Sequence, residues 1–531
     1  MLLHHTKSHS FLTSSGMVSS ASKALSFFRR SAVTQAQVQI PGPKAYPVIG
    51  SLPAILSDKD FDKQNIYRYF QKLFRTYGPI VKVEFPGQRP LVLIQRPEDV
   101  KAMYKLTEKN PVRGGMEALK KAKYSNPYFK MRGGIVVEDG TEWWRVRSKV
   151  QVPMMKQKNL CTYMREMEKI TLDFIQKVSQ HRDGEGEVTL DLLEELQSWA
   201  LESVCFVSIN QRVGSFDDKQ DSNERLKEIR DVAVEYLDAI FTCETGSKLW
   251  KIYPTEQYSK LEKSLEFLRA VCDKVLHDTE KKLASRKDDL SHEDLNFMEH
   301  LLLSGEGLTH TDIVTFTMDI IPGATTTTSD NAAVILYLLA KNPDAQRKLQ
   351  EELDSILGDG EGPISPKQLA QLSYTRAVLK EANRVMPPMF GPLRILQEDI
   401  QFREYALKKG WSVLFMNGLL GWEESVFPQA EKFIPERWLR SKPLGDIHPF
   451  TILPFSHGTR MCIGRRMAEQ QIYILIARER LEDKGFLVRQ TSFTCKLFHR
   501  FNLEWRHPDM VRDYKVTFRP RGPLKFTLLE R

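Results

Sequence analysis

No aspartate or glutamate occurs in the first 57 residues; Asp58 is the first acid. Also missing is any apolar run of the ~18 residues that a membrane-spanning helix needs. The cysteines, at 161, 205, 243, 272, 462 and 495, form no C-x-x-C pair and no dense framework. Each absence excludes something. A helical anchor is not expected, and neither a zinc site nor a disulfide scaffold is indicated, so a reducing compartment suits five of the six thiols. There is no internal repeat and no low-complexity tract. At 41% hydrophobic and 27% charged residues the chain is globular, not disordered.

The acid-free start is rich in serine and base: "MLLHHTKSHSFLTSSGMVSSASKALSFFRR". Its apolar cluster "ALSFF" is too short for a secretory signal, and the composition suits a mitochondrial transit peptide over residues 1–30. Net charge is +9, of which Lys7, Lys23, Arg29 and Arg30 supply four, leaving +5 on the rest. That is no argument for nucleic acid, although a local basic face for an acidic partner stays open.

Along the chain, a proline-rich strap over 31–53, with "IPGPKAYPVIGSLP" as its ordered non-helical part, precedes a body from 54 to 531. "IVKVEFPGQRPLVLI" reads as a hairpin about a Pro-Gly turn. Helical patterns dominate from Pro97 to about Glu280, interrupted by loops such as "SQHRDGEGE". "SRKDDLSHEDLN" is a charged linker. A long apolar-periodic helix is expected from His310 to about Asn342, and "SPKQLAQLSYTRAVLKEANRV" reads as one more. Loops and short strands follow, then a helix after Cys462. The fold expected is mainly α with minor β, in one large domain.

Cys462 lies in "PFSHGTRMCIGRR", just ahead of a helix that begins near Gly464. Unpaired N–H groups at a helix start, with Arg460, Arg465 and Arg466 close in sequence, predict a lowered thiol pKa. Gly458 and Gly464 permit a tight loop that a flat ligand can approach closely. Taken alone, such a cysteine is a nucleophile, a redox sensor, a metal ligand or a plain buried thiol.

The pattern Phe455-x-x-Gly458-x-Arg460-x-Cys462-x-Gly464 closely resembles the haem-binding signature of the cytochrome P-450 family. In that family the cysteine thiolate is the axial ligand of haem iron, so the resemblance implies haem b on Cys462. Further residues match in order. Glu381-Ala-Asn-Arg384 fits the E-x-x-R helix, and "FIPERW", with Phe433, Pro435 and Arg437, fits the loop whose arginine completes that network. Trp143-x-x-x-Arg147 and Arg394 match positions that meet haem propionates, and Arg460 is available for another. The long helix carries "IPGATTTT" in the matching place. The resemblance runs from about residue 40 to the C-terminus and implies a fold enclosing the haem in one domain.

A mitochondrial branch of that family draws electrons from NADPH through an FAD reductase and a small acidic [2Fe–2S] ferredoxin. Its motif ends in two arginines, as Arg465 and Arg466 do here, and it carries basic residues where Arg376 and Lys380 stand. The resemblance thus implies ferredoxin as partner, a place on the matrix side of the inner membrane, and a monooxygenase that uses O2 on a lipophilic, steroid-like or foreign substrate. One departure bears on this. Thr326 matches the threonine that guides protons to oxygen, but Thr325 replaces the acid usual before it, and a hydroxyl is no charged relay at neutral pH. Pro322 favours a kink and Gly323 lets the helix open. That weak relay keeps an isomerase or peroxide-dependent enzyme as an alternative, and a non-catalytic haem or lipid binder as a third. "WKIYPTEQY" is amphipathic and reads either as a surface loop or as a peripheral contact with the inner membrane.

Overall fold

Thr309 opens the longest helix, His310–Lys341, by a capping box: its hydroxyl accepts from Asp312 N–H, while the Asp312 carboxylate accepts from Thr309 N–H at 2.8 Å. At 1.5 Å per residue the helix is roughly 48 Å long, and from Thr328 to Ala340 every residue is buried. The computed structural model describes residues 38–531 except 60, 63–64, 156, 211, 215, 217–219, 247, 286–296, 305–306, 359–363, 442–443, 478–496 and 515–517. The expected transit peptide, nearly all of the charged linker, and Cys495 lie outside the described residues.

The long helix packs along Leu192–Ile209, a helix in which 13 of 18 residues are buried, so that it is apolar nearly all round as a core helix must be. Gln220–Thr245 and Glu256–Ser285 pair with each other and lie against the same long helix. One continuous apolar core joins these elements, and a second, smaller cluster fills the space under a sheet.

That sheet has the order β1-β2-β4-β3, with β1 at Ile80–Val83, β2 at Leu91–Ile94, β3 at Leu393–Ile395 and β4 at Ser412–Phe415. β1 and β2 form the expected hairpin, and β2 runs parallel to β4. Mainly α with small sheets is the architecture observed. No described helix is long and apolar enough to cross a membrane.

Two expectations need correction. The strap is non-helical only as far as Ser51, because Pro53 supports the first turn of a short helix, Leu52–Leu56. The single helix expected over 365–385 is two, Pro366–Gln371 and Ser373–Val385, separated by Leu372 at ψ 76°. The carboxylate of Glu352 caps the second helix, accepting from Tyr374 N–H at 2.6 Å, Thr375 N–H at 2.8 Å and the Ser373 hydroxyl at 3.0 Å.

Candidate functional site

The cysteine loop is closed by its own backbone. Cys462 N–H donates to the Phe455 carbonyl at 2.9 Å, and Met461 N–H to that of Gly458 at 3.0 Å. Gly458 has φ 77°, in the left-handed region that favours glycine, and a β-carbon there would sit 3.2 Å from the exposed Glu108 carboxylate. Helix Arg465–Ala477 begins just past the loop, and the N–H groups of Gly464 and Arg465 bond towards the sulfur.

The Cys462 side chain is accessible, yet protein crowds round it, and desolvation raises the thiol pKa. The two N–H groups and the charges of Arg113 and Arg147 oppose that rise without reversing it. This corrects the expected lowering. The arginines adjacent in sequence face elsewhere: Arg460 to Asp139, Arg465 to Glu469 at 3.0 Å, and Arg466 to the Met155 carbonyl.

Four guanidinium groups, Arg113, Arg147, Arg394 and Arg460, cluster near the loop, and two of them, Arg113 and Arg147, act on the sulfur. Arg147 donates to the Met461 carbonyl at 3.0 Å. Arg460 donates to Asp139 Oδ1 at 2.6 Å and to the Glu138 carbonyl, and it lies 4.4 Å from the centroid of Trp143. Arg394, on β3, donates to the Leu393 carbonyl at 3.0 Å and lies 5.7 Å from the Tyr104 ring centroid. Arg113 donates its backbone N–H to Asp139 at 3.1 Å.

Burial, then mutual repulsion, pulls Arg460 down to about 9; Arg147 and Arg394, held mainly by burial, fall to about 10. Asp139 is the one carboxylate hydrogen-bonded to this group among the described residues. Arg147 Nε and Arg460 Nε and Nη1 are buried without a partner. Unpaired buried donors in a cationic cluster call for an anion.

Glu381 and Arg384 are not the surface pair that their spacing alone would suggest; both side chains are fully buried. Arg384 grips Glu381 with two bonds, at 2.9 and 2.7 Å, and Arg437 adds a third at 3.1 Å. Ile434 N–H and Trp438 Nε1 satisfy the same carboxylate, each at 2.9 Å. The remaining guanidinium donors go to the carbonyls of Gly421, Ala430, Lys432, Pro428 and Gln429.

Residues 40–478 match the Cytochrome P450 family model. The chain belongs to the cytochrome P450 family. Among similar proteins are the probable cytochrome P450 12b2, mitochondrial, of Drosophila melanogaster, 30% identical over 503 residues that cover 92% of this chain and 86% of the relative. The probable cytochrome P450 301a1, mitochondrial, of the same fly is 29% identical over 502 residues, 92% and 86% of the two chains. The 1,25-dihydroxyvitamin D(3) 24-hydroxylase, mitochondrial, of Rattus norvegicus is 28% identical over 491 residues, 92% and 90%. This P450 is a monooxygenase of the mitochondrial branch.

The residues present fit a haem. An accessible thiol could supply a thiolate to its iron, and the orphaned nitrogens of Arg147 and Arg460 suit two carboxylates. A β-carbon built on Gly323 would meet nothing within 4 Å, so the long helix of the P450 has open space there. The hydroxyls of Thr325, Thr326 and Thr327 donate to the carbonyls four residues back, at 2.7, 3.0 and 2.6 Å. The helix is continuous through Pro322, which has no N–H to offer the Met318 carbonyl.

Arg376 and Arg465 flank the Tyr473 phenol, one from each of two packed helices. Lys380 is exposed 5.8 Å from the Trp438 centroid, and Arg465 and Arg466 are exposed as well. Sequence reasoning missed Arg113 and Asp139. Both stand in "PVRGG" and "VVEDG", stretches whose glycines mark tight turns but whose charges carry no spacing signal.

Proposed function

We propose that this P450 hydroxylates a lipophilic, steroid-like or foreign compound with electrons from NADPH, passed through an FAD reductase and an acidic [2Fe–2S] ferredoxin on the matrix side of the inner membrane. The balanced reaction is R–H + O2 + NADPH + H+ giving R–OH + H2O + NADP+. The observation that carries the reading is the accessible Cys462 thiol beside three buried, unpartnered guanidinium nitrogens. Residues 1–30 would serve as the leader, 31–53 as the strap and 54–531 as the haem domain.

Haem b, when bound, supplies the redox-active iron for oxygen activation. Cys462 would hold it, and the N–H groups of Gly464 and Arg465 would moderate the charge on sulfur. Arg147, Arg394 and Arg460, joined by Arg113, would take the propionates, with Trp143 beneath Arg460 and Phe455 beside Arg465 fixing the edge. Glu381, Arg384 and Arg437 anchor the chain on the thiolate side.

Gly323 leaves open space beside the long helix. Thr326, releasing its bond to the Pro322 carbonyl, would present its hydroxyl to a proton in transit. Thr325 is fully buried and turned to its own backbone, so it does not replace the missing acid, and water would deliver the proton. Arg376, Lys380, Arg465 and Arg466 would receive the ferredoxin. A relative named as a vitamin D hydroxylase supports the steroid-like substrate class.

The test is anaerobic reduction under CO. A thiolate–CO Soret band driven by NADPH, reductase and ferredoxin is the expected result. A band obtained only with dithionite would overturn the electron route and favour an isomerase.

A further inference from the structure

Where helix Glu256–Ser285 passes the start of the long helix, two histidines and two carboxylates converge. Asp273 and His277 are four residues apart and share one face. His310 is the first residue of the long helix. Its Nε2 lies 2.9 Å from Asp273 Oδ1, and its Nδ1 lies 3.0 Å from Glu280 Oε1. The His277 and His310 rings meet edge to face, with centroids 4.6 Å apart. One donor atom from each of Asp273, His277 and His310 falls within 4.8 Å of the others.

Flanked by two carboxylates, His310 satisfies both only as an imidazolium, with an N–H on each ring nitrogen; a neutral imidazole carries one N–H and leaves the other nitrogen a lone pair. A metal cation between Nε2 and Asp273 would take the place of that second proton. Glu280 then accepts from Nδ1–H, which fixes the tautomer and leaves Nε2 free to ligate, the usual arrangement behind a metal-bound histidine. His277 Nδ1 lies 3.1 Å from the Asp273 carbonyl oxygen and 4.0 Å from Asp273 Oδ2, on the same side as the His310 contact.

We propose that Asp273, His277 and His310 bind a borderline divalent transition-metal ion, Zn2+ foremost, with Glu280 as the orienting partner of His310. Two imidazoles and one carboxylate suit zinc in donor type and number, with water completing a tetrahedral set. Bonds of about 2.0–2.2 Å place tetrahedral ligands roughly 3.3 Å apart. Reaching that spacing takes a turn of the His277 side chain, which is 56% exposed, and a slight opening of the 2.9 Å contact between His310 and Asp273.

Two neighbours limit the affinity. Tyr128 already donates to Asp273 Oδ1 at 2.6 Å, and Arg269 Nη1 stands 3.8 Å from Oδ2, although Glu266 holds that arginine with bonds of 2.6 to 3.0 Å. A bound ion would tie the Glu256–Ser285 helix to the helix that carries Gly323 and Thr326.

The experiment is calorimetric titration of the haem-loaded full chain with Zn2+, in the wild type and in H277A, E280Q and H181A. The last removes an exposed histidine outside the cluster. One ion per chain at micromolar concentration is expected. Affinity should fall about 10- to 100-fold in E280Q, fall further in H277A, and stay unchanged in H181A. His277 is exposed and Glu280 half-buried, and an intact CO band in each variant establishes that the fold survives. Zn2+ binding equally well to H277A and E280Q, or no saturable binding at millimolar Zn2+, would overturn the proposal and leave His310 a simple imidazolium clamp.

Discussion

The guanidinium carbon of Arg460 lies 4.4 Å from the ring centroid of Trp143, with one nitrogen bound to Asp139 and two buried nitrogens unused. The ring and the salt bridge together hold the guanidinium in place. What remains free is a pair of donors in a fixed direction. If those donors hold a haem carboxylate, R460A should release haem about ten- to a hundredfold faster, the range expected for a lost hydrogen bond to a charged group. R460K should lie between, since an ammonium keeps the charge but not the fork. Haem transfer to apomyoglobin measures the rate, and a wild-type rate in R460A would refute the assignment.

Glu381 is the sole acid between two buried guanidiniums, Arg384 and Arg437. Breaking a buried pair from one side costs about 3–5 kcal/mol, a large share of the 5–15 kcal/mol typical of a folded domain. E381A should therefore yield little soluble, haem-loaded protein. Expression yield and the unfolding midpoint are the readouts; a stable E381A would show that the carbonyls alone suffice.

Lys380 projects from the surface that Arg376 and Arg465 share. K380E should slow ferredoxin-driven haem reduction about tenfold at low salt, with the deficit shrinking as salt screens the charge. Its melting temperature should not change. Stopped-flow reduction at two ionic strengths decides, and equal rates for both proteins would remove this face from the docking surface.

Asp330 titrates abnormally: burial raises its pKa from 3.8 to about 7, with Arg519 opposing and Asp238 adding to the rise. An acid with a raised folded pKa favours the folded state at low pH. That advantage is lost as pH climbs from about 4 through about 7, by at most ~1.4 kcal/mol per unit, and is constant above. D330N mimics the neutral acid, and Arg519 retains Asp238 at 2.6 Å. The stability gain of D330N over wild type should grow between pH 5 and pH 7.5 and then level off. A gain independent of pH would show that Asp330 is charged throughout.

The cysteine loop, the E-x-x-R helix and the long helix were legible because each is local: a few residues at fixed spacing carry the signal. The thiol's electrostatics were not. Arg460 finds Asp139 across 321 positions of chain, so proximity in sequence named the wrong cations and overlooked Arg113. The break at Leu372 was hidden for a similar reason. Ser365 and Pro366 mark the first helix start, but the second start is capped by Glu352 from another helix, and Leu369 and Leu372 keep a helical spacing up to the junction.

Between Gly421 and Arg437 the chain follows a largely irregular path, and Arg384 and Arg437 hold it by its carbonyl oxygens. A carbonyl is the same whatever side chain its residue bears. The recognition here is of contour rather than of composition, so the exposed Pro428 and Lys432 are free to be replaced by residues that keep the same course, whereas Ala430 is buried and Gln429 holds φ 57°. Adding or removing one residue would put every oxygen out of step with the two guanidiniums. At those exposed positions the stretch is therefore constrained in length more than in letters.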